Sequence, residues 1–158
     1  MCLYVNSYLE EFDMEHNCIV WYDEWQMACC GEPFSIGDKV KWPVSPDWND
    51  DYLPVDMKQQ VGRITYFYDA HADSLEGLFT LIGIVKNIQG VYLHFELESP
   101  TTPYLTPVSG FLIDIKDDYQ KTIDIFEKKS VVKNVEFLLT AYLIEMEFLE
   151  IKPGFDFE

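Results

Sequence analysis

Residues 80–97, TLIGIVKNIQGVYLHFEL, decide how this chain is read. Val, Ile and aromatic side chains run through the stretch, and such residues fit a pleated, half-buried surface. Gln89-Gly90 stands near its middle. Taken as the turn of a hairpin, with the glycine at a position needing positive φ, it separates two strands, 80–88 and 91–97. A chain with this hairpin at its centre is expected to be mainly β.

Working outward, GRITYFYDA (62–70) alternates around Ile64, Tyr66 and Tyr68, and FLIDIK (111–116) alternates Phe111, Ile113 and Ile115 with Asp114 and Lys116, the period-two pattern of a strand with one buried face. Between the hairpin and FLIDIK, residues 99–109 carry Pro100, Pro103 and Pro107 and are expected to form a loop or an irregular edge. Residues 71–77 read as a polar connection. Upstream, CIVWY (18–22) is a strand core, and in FSIGDKVKWPV (34–44) Gly37-Asp38 make a turn before Val40 and Trp42 alternate with Lys39 and Lys41. Pro43 has no N–H for a ladder, so it should end that strand or leave it at an edge. SPDWNDDYLPVDM (45–57) reads as a surface loop pinned by Trp48, Tyr52 and Leu53. Residues 1–12 alternate only loosely, as a strand or as a short helix from Ser7.

The C-terminal part supports two patterns. Val132, Val135, Leu139, Tyr142, Met146 and Leu149 fall at helical spacing, whereas Tyr142, Ile144, Met146 and Phe148 alternate with Glu145 and Glu147 as in a strand, the reading we favour. Strands with turn signals every ten or so residues, and no repeat or linker between them, predict a single domain over 1–158. Its expected architecture is a small SH3-like or related β-barrel with elaborations, and a C-terminal helix (α+β) is the alternative.

Composition narrows the function. The chain has 158 residues, 48% hydrophobic and 16% aromatic, enough for a core without staples. Its 28 acidic against 11 basic residues give a formal charge of −17. That charge repels phosphate backbones, so no direct nucleic-acid binding is expected; it suits solubility or a basic protein partner. MCLYVNSYLEEF lacks the basic n-region of a targeting signal, and Glu10 and Glu11 interrupt its apolar residues. Residues 137–144 fall far short of the ~20 needed for a membrane span. A cytoplasmic protein is expected, with Cys2, Cys18, Cys29 and Cys30 as reduced thiols rather than a disulfide frame.

The rarest residues crowd into WQMACCGEPFSIGDKVKWPV (25–44), read as a loop leading into a strand. The string Trp25-Gln26-x-x-Cys29-Cys30-Gly31-Glu32-Pro33-Phe34-x-x-Gly37, preceded by Ile19-Val20-Trp21 and followed by Val40-x-Trp42, resembles a family of small bacterial proteins catalogued only as a domain of unknown function. In that family a hydrophobic strand leads into a W-Q-x-x-C-C-G-x-P-F signature near the N-terminus. The resemblance covers about residues 18–42. It implies a bacterial origin and a common fold, and brings no activity.

The residues themselves admit several chemistries. A disulfide between Cys29 and Cys30 would be strained, because neighbouring Cα atoms lie ~3.8 Å apart, below the usual disulfide range, and strained bonds are labile. Free cysteine, by contrast, packs as a small hydrophobe. His16 and Cys18 share a strand face and with Cys29 and Cys30 could make a Cys3His metal site, but structural zinc sites space their cysteine pairs rather than joining them. Asp47, Asn49, Asp50 and Asp51, and Asp69 with Asp73, lack the order of a calcium loop and read as solvated acids. The carboxylate pairs Asp23 with Glu24 and Glu145 with Glu147 say little in so acidic a chain, and His94 reads as a structural histidine within a strand. No nucleophile elbow, phosphate-cradling loop or H-E-x-x-H occurs, so no catalytic residue is assigned and no cofactor is called for. The leading expectation is a non-catalytic β-barrel module that contacts a protein or small-molecule partner through Trp25, Gln26, Cys29, Cys30, Glu32 and Trp42. The competing one is a thiol-based redox or metal-binding protein using Cys29 or Cys30.

Overall fold

The computed structural model describes residues 17–70, 77–115 and 122–156. The chain is mainly β, with seven strands and two short α-helices among these residues: β1 (Asn17–Asp23), α1 (Glu24–Cys30), β2 (Lys39–Ser45), α2 (Val55–Val61), β3 (Tyr66–Tyr68), β4 (Phe79–Leu97), β5 (Leu105–Asp114), β6 (Lys129–Val132) and β7 (Val135–Pro153). The strands form one sheet in the order β5-β4-β2-β3-β1-β7-β6, and a further pairing of β4 with β7 closes it into a ring. All neighbours are antiparallel except β1 and β3, where Val20 lies opposite Tyr66.

The central hairpin is overturned. β4 is one strand of 19 residues that runs straight through Gln89-Gly90. Gly90 is not in the positive-φ region. It is glycine because a Cβ there would lie 2.9 Å from Phe126 Cδ1 and 3.0 Å from Tyr92 Cε1. So long a strand serves two stretches of sheet. Its first part pairs with β2, from Lys39 opposite Ile84 to Val44 opposite Phe79, and its second part pairs with β5. β7 follows along its other side with register shifts at Ile82/Gly83, Val85/Asn87 and Val91/Tyr92, irregularities of the kind that bend a strand and increase its twist.

The C-terminal ambiguity resolves as strand, and the helical alternative is excluded: β6 and β7 pair around Lys133-Asn134, both at positive φ (53° and 67°), as a tight hairpin turn demands. The strand expected over 62–70 shrinks to Tyr66–Tyr68. Pro43 neither ends β2 nor sits at an edge; its carbonyl accepts the Asp69 N–H at 3.0 Å, so its missing donor faces the end of short β3 and leaves the β4 side intact. Pro107, in contrast, lies in edge strand β5, which extends back into the segment read as loop or irregular edge. The surface loop over 45–57 gives way at Val55 to α2, flanked by Pro54 and Gly62, the latter at φ 73°. The readings for residues 1–12 and for His71 and the polar residues after it lie outside the described residues.

Alternation along the strands divides the core in two. Val20 and Tyr22 of β1 join Trp42 and Val44 of β2, Tyr68 of β3, Leu81 and Val85 of β4, and Ile144 and Met146 of β7 in one cluster, drawn from every strand of the ring and hence on its inner face. Trp21, Val91, Leu93 and Leu143 point the other way and are covered by Met57 and Val61 of α2 and by Leu53 just before it. Among the described residues no helix is long and apolar enough to cross a membrane.

Candidate functional site

The segment read as a loop before β2 begins as α1. Glu24-Trp25-Gln26-Met27-Ala28 are mostly good helix formers, and Glu24 in the first turn suits the positive end of the helix dipole. Seven residues are too few for a helix to stand alone in water. Tertiary contacts hold this one: Gln26 and Met27 are buried, and Lys128 Nζ donates to Glu24 Oε2 at 2.6 Å. The helix ends where the Gly31 N–H donates to the carbonyls of Gln26 and Met27 (3.1 and 3.2 Å), and Pro33 follows two residues later.

Below the C-terminal end of α1 opens a groove of about 720 Å³. Its floor is aromatic. Tyr22 and Tyr68 stack with centroids 3.8 Å apart and planes 11° from parallel. Trp42 stands edge-on to both, at 5.2 and 5.9 Å, and Phe34 packs edge-on to Trp42 at 5.0 Å. Burial pushes the Tyr22 phenol far above its ordinary range, and its hydrogen bond with Tyr68 adds to the effect, so it stays a neutral donor. Cys30 and Gly31 form the wall on the α1 side. Glu32, Asp38 and Asp156 bring acid to the lining, and Lys39 and Lys41 bring base. The four rings are themselves almost wholly buried, so the groove offers a limited apolar floor and charges of both signs.

Of the residues singled out from sequence, Cys30, Glu32 and Trp42 line this groove. Gln26 is buried and structural: its Nε2 donates to the Tyr68 carbonyl at 3.1 Å and its Oε1 accepts the Ala70 N–H at 2.9 Å, tying α1 to the end of β3. Trp25 is 53% exposed and is not among the groove's lining residues; its indole is hydrogen-bonded to Asp23. Cys29 and Cys30 are exposed and joined as a vicinal disulfide, Cα atoms 3.8 Å apart. This departs from the expected reduced thiols, yet it is no disulfide frame, because a bond between neighbours constrains no loop. Cys18 is free and buried, and burial pushes its thiol up to about 11. His16 lies outside the described residues, and among the described residues no three His, Cys, Asp or Glu side chains gather as metal ligands. His94 is tied within the sheet, Nδ1 to the Glu136 carbonyl at 2.9 Å and Nε2 to Glu96 at 3.1 Å.

Tyr22, Tyr68 and Phe34 are not among the site residues that the sequence suggests. Tyr22 and Tyr68 meet only because β1 and β3 pair in parallel across 46 residues, a contact that no local pattern announces.

A family comparison covers nearly all of this architecture, matching residues 16–147. The chain belongs to the family of unknown function DUF6578. No curated protein and no solved structure matches it. The matched span holds α1, the groove floor and every strand except the end of β7, so the DUF6578 unit contains the groove apart from Phe155 and Asp156 and attaches no reaction to it.

Proposed function

We propose that the chain is a non-catalytic binding module, a small β-barrel of SH3-like or related kind, that receives a segment of a protein partner in the groove beneath α1. The groove itself carries this reading: a rigid aromatic floor, locked by stacking and edge contacts, beside side chains of both charges. Rigid aromatic rings give contact area at little entropy cost, and charges at the border of a site fix register and steer encounter. The net charge of −17 favours a partner with basic residues.

Titration of isotope-labelled protein with a pool of short basic peptides tests the proposal by amide shifts. The expected outcome is shifts grouped at Gly31, Lys39, Val40 and the Trp42 indole, lost in the variant Glu32→Lys/Asp38→Lys. Shifts confined to α2 or β5, or none at millimolar peptide, would sink it.

A further inference from the structure

We propose that Cys29 and Cys30 form a reversible thiol–disulfide exchange site for low-molecular-weight disulfides of the glutathione type, placed so that closing the vicinal bond reshapes the wall of the aromatic groove. Access comes first. Both cysteines are exposed at the end of α1, where a small disulfide can reach them, whereas Cys18 is buried under β-sheet packing.

The reaction balances without any further reagent. The thiolate of one cysteine attacks a sulfur of the small disulfide, whose S–S bond breaks, and one small thiolate leaves. The neighbouring cysteine, deprotonated, then attacks the protein sulfur of the mixed disulfide and expels the second small thiolate. Each departing thiolate takes up a proton, so the two protein thiols are oxidised and one small disulfide is reduced to two thiols. Because the resolving thiol is the adjacent residue, no segment has to fold back to bring it into reach.

The coupling follows from what adjoins the pair. The closed ring contains the peptide between Cys29 and Cys30, so opening it frees the backbone at the end of α1. Gly31 comes next: its N–H is held by the Gln26 and Met27 carbonyls, and it lies so near the Tyr22 hydroxyl that an added Cβ would overlap the oxygen. Tyr22 in turn stacks on Tyr68 in the groove floor. A backbone change at Cys30, itself part of the wall, therefore reaches the floor through one packed contact. This coupling rests on the groove as the binding site; the exchange chemistry does not.

The test uses the full chain equilibrated with reduced and oxidised glutathione. Alkylation and intact-mass measurement should show the wild type losing two hydrogens reversibly, with the bond mapped to Cys29–Cys30. Cys29→Ser and Cys30→Ser should each stop at a mixed disulfide carrying one glutathione. Amide hydrogen exchange at residues 31–34 should differ by about threefold or more between the two states. A stable glutathione adduct on the wild-type pair, a bond mapped to Cys2 or Cys18, or no reaction overturns the proposal. Equal exchange rates at 31–34 overturn it as well, and leave the groove reading to stand or fall on the peptide shifts.

Discussion

Gly31 lies against the Tyr22 hydroxyl with no room for a side chain: a Cβ there would overlap the phenol oxygen and sit 3.1 Å from both Cα and Sδ of Met27. The backbone at Gly31 (φ −86°) suits any residue, so the requirement is steric. Gly31→Ala should therefore destabilise by about 1–3 kcal/mol, the usual cost of overpacking a core. Tyr22→Phe removes the oxygen, and the alanine should cost about 1 kcal/mol less in that background, the Met27 contacts remaining. Urea denaturation of the four proteins measures the cycle. Equal costs in both backgrounds would show that the hydroxyl is not what selects glycine.

Gln26 makes a second checkable demand. Its amide satisfies one half-buried donor and one buried acceptor at the end of β3, the Ala70 N–H and the Tyr68 carbonyl. Gln26→Leu keeps much of the volume and strands both groups, for an expected loss of roughly 2–4 kcal/mol, about 1–3 for the buried carbonyl and about 1 for the half-buried N–H. Gln26→Glu retains the acceptor for Ala70 but faces the Tyr68 carbonyl with a carboxylate, and should destabilise more at neutral than at acid pH. A loss below about half a kcal/mol for the leucine variant would mean that water replaces the clamp.

Much of the strand content was legible, because alternation survives wherever one face of a strand is buried: Lys39, Val40, Lys41 and Trp42 alternate as expected, and so do Glu145, Met146 and Glu147. Glycine misled where it served packing. Gly90 marks the approach of Phe126, a residue 36 positions later, and a local reading sees only a turn former. The true turn, Lys133-Asn134, placed lysine at positive φ, where turn chemistry favours Asn or Gly, so it carried half a signal. α2 was marked by Pro54 and Gly62, but its seven residues follow an aspartate-rich loop that hid them. At the groove, rare residues pointed to Cys30 in its wall, Glu32 in its lining and Trp42 in its floor, and to Gln26, which ties α1 to the end of β3. The stacked tyrosines of the floor depend on strand pairing, which composition does not encode.

Asp23, at the junction of β1 and α1, links the site's edge to pH. Burial raises its carboxyl above the usual range; the Trp21 Nε1–H, donating to Oδ1 at 2.9 Å, opposes this together with Gln26 and Trp25, and the charge of Asp69 raises it further. Because the folded value exceeds the unfolded one of about 3.9, the folded state keeps a proton that the unfolded chain has released. The stability contributed by this group is thus fully present below the unfolded value and is lost as pH rises through the folded one. Asp23→Asn keeps an oxygen acceptor for Trp21 and removes the charge. Its stability relative to wild type should therefore increase as pH rises from about 4 and level off above the folded pKa, and Asp69→Asn should show a weaker version of the same trend. Denaturant midpoints compared across that range give the answer. A variant that tracks wild type throughout, or loses ground to it as pH rises, would show that hydrogen bonding to the carboxylate outweighs its burial.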